Sequence, residues 1–596
     1  MQNQSNLFFL DKFTTKVCEE LFNKASDLFQ EISFYELASH FQSPPEKEEG
    51  HWALPCFFLS KKLKINPQEI SQKITESCSN SLVFEKAIQK GPYVNFCFKK
   101  NFLKNTLLTS LKDGLYFLLP KKEMSQILME YSQPNTHKEL HIGHMRNICF
   151  GFSLVSLLKK RAFPCITCTY PGDVGTHVAK CLWYLKFHNK EKIPHHKKGE
   201  WLGTIYTKAL KKFEQEQKDP IKKKQNNETL TNILQQIQNQ KGEFYILWKE
   251  TRMWSKKLMD KVYEWIGVLF DKWYWESEVD KPSVEWVKSL YQEGRLQMSE
   301  SAIGMHLGEP LGFSLLLKSD GNGLYATKDL YLFRKKFKDY NPSKNIYIVD
   351  QRQESHFQQV FKVLEKLGWK EEIKKSLHLK YNFVELKTGP MSSRAGNIVP
   401  IMELVEKMKN YIISTFLDKY KNEWSEEKIN QTADSIVKGA IQYGMNEQDL
   451  NKKIVFDMKD WLKFDGRSGV YIQYAYARAC SLLNKNLKSY SLKNNKKFNE
   501  DIEMEYLRTP EEWQLIIHLS WFSLVMEKSA WQMKTSTVCY YLFYLAQKFS
   551  KFYQNCPIGS LKDEKQKQFR LYLVHVVKVV LKEGLDVLSI PAPEQM

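Results

Sequence analysis

Hydrophobic positions along the 596-residue chain change their period from one stretch to the next. Up to about residue 112, helical patterns such as KVCEELFNKASDLF mix with the alternating run GPYVNFCFKK, where Gly91 and Pro92 mark a turn before a strand. That mixture predicts a compact α+β unit over residues 1–112. From about 113 to 400, short apolar runs (ILMEYS, CITCTY, FSLLLK, NIYIVD, LKYNFVEL) alternate with helical stretches (CFGFSLVSLLKK, LYLFRKKF, QQVFKVLEKL). Such alternation predicts a parallel sheet covered on both faces, the nucleotide-binding type of α/β domain. A polar, Lys- and Gln-rich segment at about 184–300 interrupts it, and its helical periods predict an insertion carried between two strands. Beyond 400 the pattern turns helical, as in YLFYLAQKFSKFYQNCP and LYLVHVVKVVLKEGLDVL. A helical stem over 401–470 and a C-terminal helical domain over 471–596 follow.

Composition changes this picture little. Hydrophobic residues at 42% and aromatics at 13% describe a folded globular chain. No apolar run reaches the roughly 18 to 20 residues of a membrane span. The start, MQNQSNLFFLDKFTTK, lacks a basic segment followed by an apolar stretch and a small-residue cleavage site, so a cytoplasmic location is expected. Charge matters more: 88 Lys and Arg against 68 Asp and Glu leave +20, which favours a polyanionic partner, nucleic acid first, unless it only colours a lysine-rich surface. Of 11 cysteines only Cys165 and Cys168 lie close together. A lone CxxC in a β-branched run reads as two strand residues, because zinc sites of this kind usually bring a second pair of ligands.

The chemistry concentrates in three loops. In PNTHKELHIGHMRN, Pro134 and Asn135 break the chain after an apolar strand, and a helix starts near His141 or Ile142. A strand–loop–helix unit of this kind puts free backbone N–H groups at the carboxyl edge of the sheet, where nucleotides bind. Gly143 lets a ligand approach the backbone, and His141 and His144, three apart, can meet one phosphate chain. In TYPGDVGTHVAK, Gly172 and Gly175 permit a tight turn, while Asp173 either reaches a ribose hydroxyl or positions a neighbouring loop. In GPMSSRAGN, Arg394 and the backbone around Ser392 and Ser393 can clamp a triphosphate. Read singly, the second loop is an ordinary βα turn and the third a solvated basic loop.

Together these segments resemble the class I arginyl-tRNA synthetases. HIGH, His141 to His144, matches the first class motif letter for letter, and MSSR, Met391 to Arg394, resembles the second, KMSKS. GLYATKDLYLFRKKF, YIVDQRQESHF, FDGRSGVYIQYAYAR and KFSKFYQNCP resemble further family segments in the family's order, and GHWALPCFFLSKKLKINPQEISQKI with GPYVNFCF resembles its N-terminal domain. The resemblance implies a multidomain α/β protein: a Rossmann-like catalytic domain, an N-terminal α+β domain that contacts tRNA, and a C-terminal all-α anticodon-binding domain. It implies ATP-dependent charging of tRNA(Arg) with L-arginine through an adenylate, transfer to the terminal 2′-hydroxyl, ATP as Mg-ATP, and a monomer; a protein metal site is not expected, because the histidines bring no third and fourth ligand at compatible spacing.

Carried over by motif, Glu130, Asn135, Tyr325, Asp329 and Gln353 fall at arginine-pocket positions. Pro134, His141, Gly143, His144, Gly172, Asp173, Met391, Ser392 and Ser393 fall at ATP positions. Tyr325 and Asp329, four apart, share a helical face, and carboxylates with an aromatic ring suit a planar guanidinium. A synthetase for an apolar amino acid would leave both Glu130 and Asp329 unpaired. Pro390 stands where KMSKS has its first lysine and Arg394 where it has its second. In such family members a lysine just before HIGH supplies the missing charge, and Lys138 has that position. Lys138, His141, His144 and Arg394 are therefore the expected catalytic groups. A tRNA-binding paralogue without catalysis is the alternative, and the intact HIGH motif and arginine pocket weigh against it.

Overall fold

The computed structural model of the chain describes residues 11–45, 49–112, 126–387, 389, 399–486 and 503–596. Near the N-terminus, β1 (Trp52–Pro55), β2 (Phe84–Lys90) and β3 (Tyr93–Phe98) form an antiparallel sheet in the order β1-β3-β2. Gly91, at φ +56°, makes the tight turn between β2 and β3. Helix Lys12–Lys24 is capped by Asp11, whose carboxylate accepts from the backbone N–H groups of Phe13 and Thr14. It lays Phe13, Val17 and Leu21, spaced four apart, into a shared core with Trp52 and Phe98. This domain leans on the C-terminal helices: Trp52 donates from Nε1 to Ser520 Oγ at 2.9 Å and stacks on Trp521.

The central sheet is parallel throughout. β4 (Ile127–Glu130) pairs with β5 (Cys165–Thr169), and β5 with the two-residue β6 (Lys272–Trp273). After β7 (Gln297–Ser299), β8 (Ala302–Gly308) and β9 (Gly312–Leu317), the chain returns on the other side of β4 as β10 (Lys344–Asp350) and β11 (Ser376–Tyr381). The order is β11-β10-β4-β5-β6. The direction of winding reverses between β4 and β10, so a crevice opens beyond their carboxyl ends.

Three differences from the sequence reading have simple causes. β6 lies inside the segment expected to be only helical, because two residues are too few to show a period; the helices Lys198–Glu216, Pro220–Gln238 and Glu243–Ile266 are inserted between β5 and β6. FSLLLK contributes β9 to a separate antiparallel sheet, β7-β8-β9, not to the parallel one. Beyond 400 the elements of the described residues are helices except for β13 (Ile454–Phe456), which pairs in parallel with β12 (Val384–Leu386). Cys165 and Cys168 are strand residues on β5, three apart and so on opposite faces, and burial pushes both thiols up to about 12. No helix among the described residues is long and apolar enough to cross a membrane.

Candidate active site

The crevice is built around helix Ile142–Lys160, which starts where the motif predicts. His141 caps it: its Nδ1 accepts from the Gly143 N–H at 3.1 Å, while His144 Nδ1 accepts from the His141 N–H at 3.1 Å. Because each Nδ1 is an acceptor, each ring carries its proton on Nε2. Burial pushes His141 down to about 4, with help from the nearby Lys138 ammonium. Burial likewise holds His144 well below the usual range, with His141 and Lys138 adding to it. The two imidazoles are therefore neutral near pH 7 and supply one N–H donor each at a helix N-terminus, without net charge. Any positive charge must come from elsewhere, and Lys138, three residues before His141, holds its ammonium 5.1 Å from the Tyr206 ring centroid on the insertion.

The loop carrying Lys138 is fixed by the first histidine of the motif and by residues next to it. His137 is buried at φ +64°, donates its N–H to Ser255 Oγ, and has Thr136 and Thr251 hydroxyls 2.9 Å from its two ring nitrogens. Asn147 accepts from the Ser132 N–H after β4 and donates to the Ile348 carbonyl of β10 at 2.8 Å and to the Tyr381 hydroxyl of β11 at 3.1 Å. It therefore ties three strand ends together at the switch point. The fully buried Arg146 donates to the carbonyls of Asn382, Lys452 and Asp449, bolting the helix to the stem region. Asn147→Ala is expected to destabilise the protein by about 1–3 kcal/mol for each buried group left unpaired. A denaturant midpoint shift at unchanged m-value measures it.

The second loop closes against the first. Thr136 N–H donates to the Gly172 carbonyl at 2.8 Å and Gly172 N–H to the Pro134 carbonyl at 3.1 Å, leaving Pro134 buried and Asn135 exposed. A Cβ at Gly172 would stand 2.4 Å from Asn135 Oδ1, so glycine is required by close approach rather than by a special φ. Asp173 departs from its expected place beside ATP. Its carboxylate is 0% exposed, accepts from the N–H and hydroxyl of Ser277 and pairs with Arg252 at 3.0 Å. Burial raises its proton affinity, and Arg252 and Ser277 oppose the shift. Asp173 thus positions the neighbouring helices, the other role its spacing allowed.

At the expected arginine pocket, Asp329 and Glu130 line one small cavity with Tyr347 and Phe357. Glu130 is buried and ion-paired with the fully buried Lys336, whose ammonium also lies 4.1 Å from the Tyr347 ring centroid. A strand-end carboxylate in a low dielectric needs such a counter-ion, and Lys336 stands two turns beyond Asp329 on helix Tyr325–Tyr340. Asp329 is one quarter exposed and paired with His356, with Tyr325 at 72% exposure one turn earlier and Gln353 exposed in the turn after β10.

Met391, Ser392, Ser393 and Arg394 lie outside the described residues. The chain beyond them returns to the HIGH helix: Ile142 N–H donates to the Val399 carbonyl at 3.2 Å and Ile401 N–H to the Leu140 carbonyl at 3.0 Å. Among the described residues no group of three or more His, Cys, Asp or Glu side chains could hold a metal ion.

Comparison with known proteins adds three family matches: tRNA synthetases class I (R), catalytic domain, over residues 107–460; DALR anticodon binding domain over 472–596; and Arginyl tRNA synthetase N terminal domain over 16–98. The arginine–tRNA ligase of Bdellovibrio bacteriovorus is 47% identical over 556 residues, 93% of each chain. That of Halothermothrix orenii is 30% identical over 97% of this chain and 99% of its own. The solved arginyl-tRNA synthetase of Thermus thermophilus superposes with a TM-score of 0.80 at 22% identity, covering 98% of this chain and all of that one. The Plasmodium falciparum structure gives 0.75 at 22%, over 99% of this chain and all of that one.

Proposed function

Because the chain belongs to the class I arginyl-tRNA synthetases, we propose that it joins L-arginine to tRNA(Arg) in two ATP-dependent steps. An arginine carboxylate oxygen attacks the α-phosphorus of ATP, the bond to the bridging oxygen breaks, and pyrophosphate leaves. The 2′-hydroxyl of the terminal adenosine then attacks the arginyl carbonyl and AMP leaves. The observation that carries this reading is the shared edge: two neutral imidazoles at a helix N-terminus beside Lys138, and the Asp329 carboxylate, all at the carboxyl ends of β4 and β10.

In this reading His141 and His144 donate from Nε2 to phosphate oxygens, with Gly143 allowing the nucleotide close. Lys138 and Arg394 meet the charge that develops during transfer, while Pro134, Gly172, Met391, Ser392 and Ser393 shape the nucleotide seat. Asp329, Asn135, Tyr325 and Gln353 take arginine, and Glu130 supports the pocket through Lys336. Mg2+ is proposed only as the companion ion of ATP, and no step is derived through it. Residues 1–112 and 471–596 are proposed to contact tRNA, flanking the catalytic domain over 113–400 and the stem over 401–470. A cleft of about 720 Å³ between the two ends, walled by His51, Trp513, Tyr541 and Tyr544 with Lys528 and Lys548, supports this, since rings and cations suit nucleotides. The protein is further proposed to act as a monomer in the cytoplasm, which sedimentation and cell fractionation test.

Aminoacylation with each amino acid in turn tests the substrate, and charging by any amino acid other than arginine at a comparable rate overturns it. Pyrophosphate exchange with arginine and ATP is expected to be nearly silent until tRNA is added. A strong signal without tRNA removes that dependence while leaving the substrate assignment intact.

A further inference from the structure

His356 stands on helix Glu354–Lys366, directly after the short turn Gln351–Gln353 that follows β10. Its Nε2 lies 2.5 Å from Oδ2 of Asp329, and both side chains are about one quarter exposed. The carboxylate read as the guanidinium partner is therefore already paired within the chain. The second carboxylate of the cavity, Glu130, already has Lys336 as its counter-ion. We infer that His356 is the counter-ion that arginine displaces: protonated, it holds Asp329 in place, and the incoming guanidinium takes the carboxylate while the imidazolium gives its proton to solvent. This rests on the reading of Asp329 as the arginine carboxylate.

The electrostatics have the required sign. Burial lowers the proton affinity of His356, but the hydrogen bond and charge of Asp329 outweigh it and leave the imidazole above its ordinary value. A guanidinium on Asp329 cancels that charge and adds a cation, so the arginine-bound value drops. One proton is released at any pH between the two values. Two titratable groups face His356. Asp329 comes from helix Tyr325–Tyr340; His378 comes from β11, and its own proton affinity is lowered first by burial and, in smaller part, by His356. Glu354, on the same helix as His356, is paired with Lys380. Below the raised value arginine competes with the proton, so its affinity climbs with pH and levels off above it.

The device also sorts substrates. Citrulline has the size and planarity of arginine but no charge, so it offers nothing in exchange for the imidazolium. Discrimination against neutral isosteres is then set by His356 together with Asp329.

Arginine binding to the full-length protein, measured by titration calorimetry at several pH values from 6 to 8, each in two buffers of different ionisation heat, counts the protons released. Wild type is expected to release protons at the lower end of this range and fewer as pH rises. His356→Asn and His356→Gln are expected to bind arginine with none released and with an affinity that no longer varies from pH 6 to 8, and to lose part of the preference over citrulline. Arginine binding by wild type without proton release overturns the inference, whether or not the variants fold; so does an unchanged release in His356→Asn. Asp329→Asn separates the two levels: unchanged arginine affinity there removes the underlying assignment of Asp329 and not merely the role of His356.

Discussion

Asp329→Asn raises the Michaelis constant for arginine by about 30-fold or more while that for ATP moves little. Of the two described carboxylates lining the cavity, Glu130 is held by the buried Lys336, whereas Asp329 is paired only with the partly exposed His356. Losing one partner of a desolvated, hydrogen-bonded charge pair costs about 2–5 kcal/mol, and 1.4 kcal/mol is a factor of ten. Asparagine keeps the size and one acceptor oxygen, so the fold survives and the loss is electrostatic. Steady-state kinetics with each substrate varied in turn give the answer. Equal increases for arginine and ATP would sink the assignment, since they would report general damage to the crevice.

Lys138→Ala lowers the turnover number by about 10²- to 10³-fold, the usual loss for one electrostatic contact made in a transition state. His141 and His144 are kept neutral by burial, so they can orient phosphate oxygens but cannot balance new negative charge. Lys138, three positions before His141, contributes to lowering the proton affinity of both rings. If its ammonium acts as charge develops, the Michaelis constant for ATP changes little and the rate falls, the pattern of an interaction absent from the ground state. Single-turnover adenylate formation with tRNA present, for Lys138→Ala and Arg394→Ala beside wild type, measures this. A near-normal rate for Lys138→Ala would place the compensating charge elsewhere.

Much of this architecture is written in local pattern. Alternating strands and helices predict the parallel sheet, and the apolar run before Pro134, the loop and the histidine spacing predict a helix beginning at Ile142. Such features depend on residues a few positions apart, so backbone geometry and the period of apolar side chains suffice. Strands of two or three residues, β6 and β13, carry no period and exist only because a neighbour pairs with them. Asp173 shows the same limit from the other side: its spacing allowed either a ribose contact or a structural role, and Ser277 and Arg252, 104 and 79 positions away, decide for the second.

Local pattern alone carries the motif helix and the order of the domains. Which charges are paired depends on contacts between residues far apart in the chain. Glu130 and Lys336 are 206 positions apart and Asp329 and His356 are 27 apart, yet each pair is in contact. A carboxylate looks the same in sequence whether it is open or paired. Its chemistry depends on the dielectric around it and the cation beside it, and folding sets both.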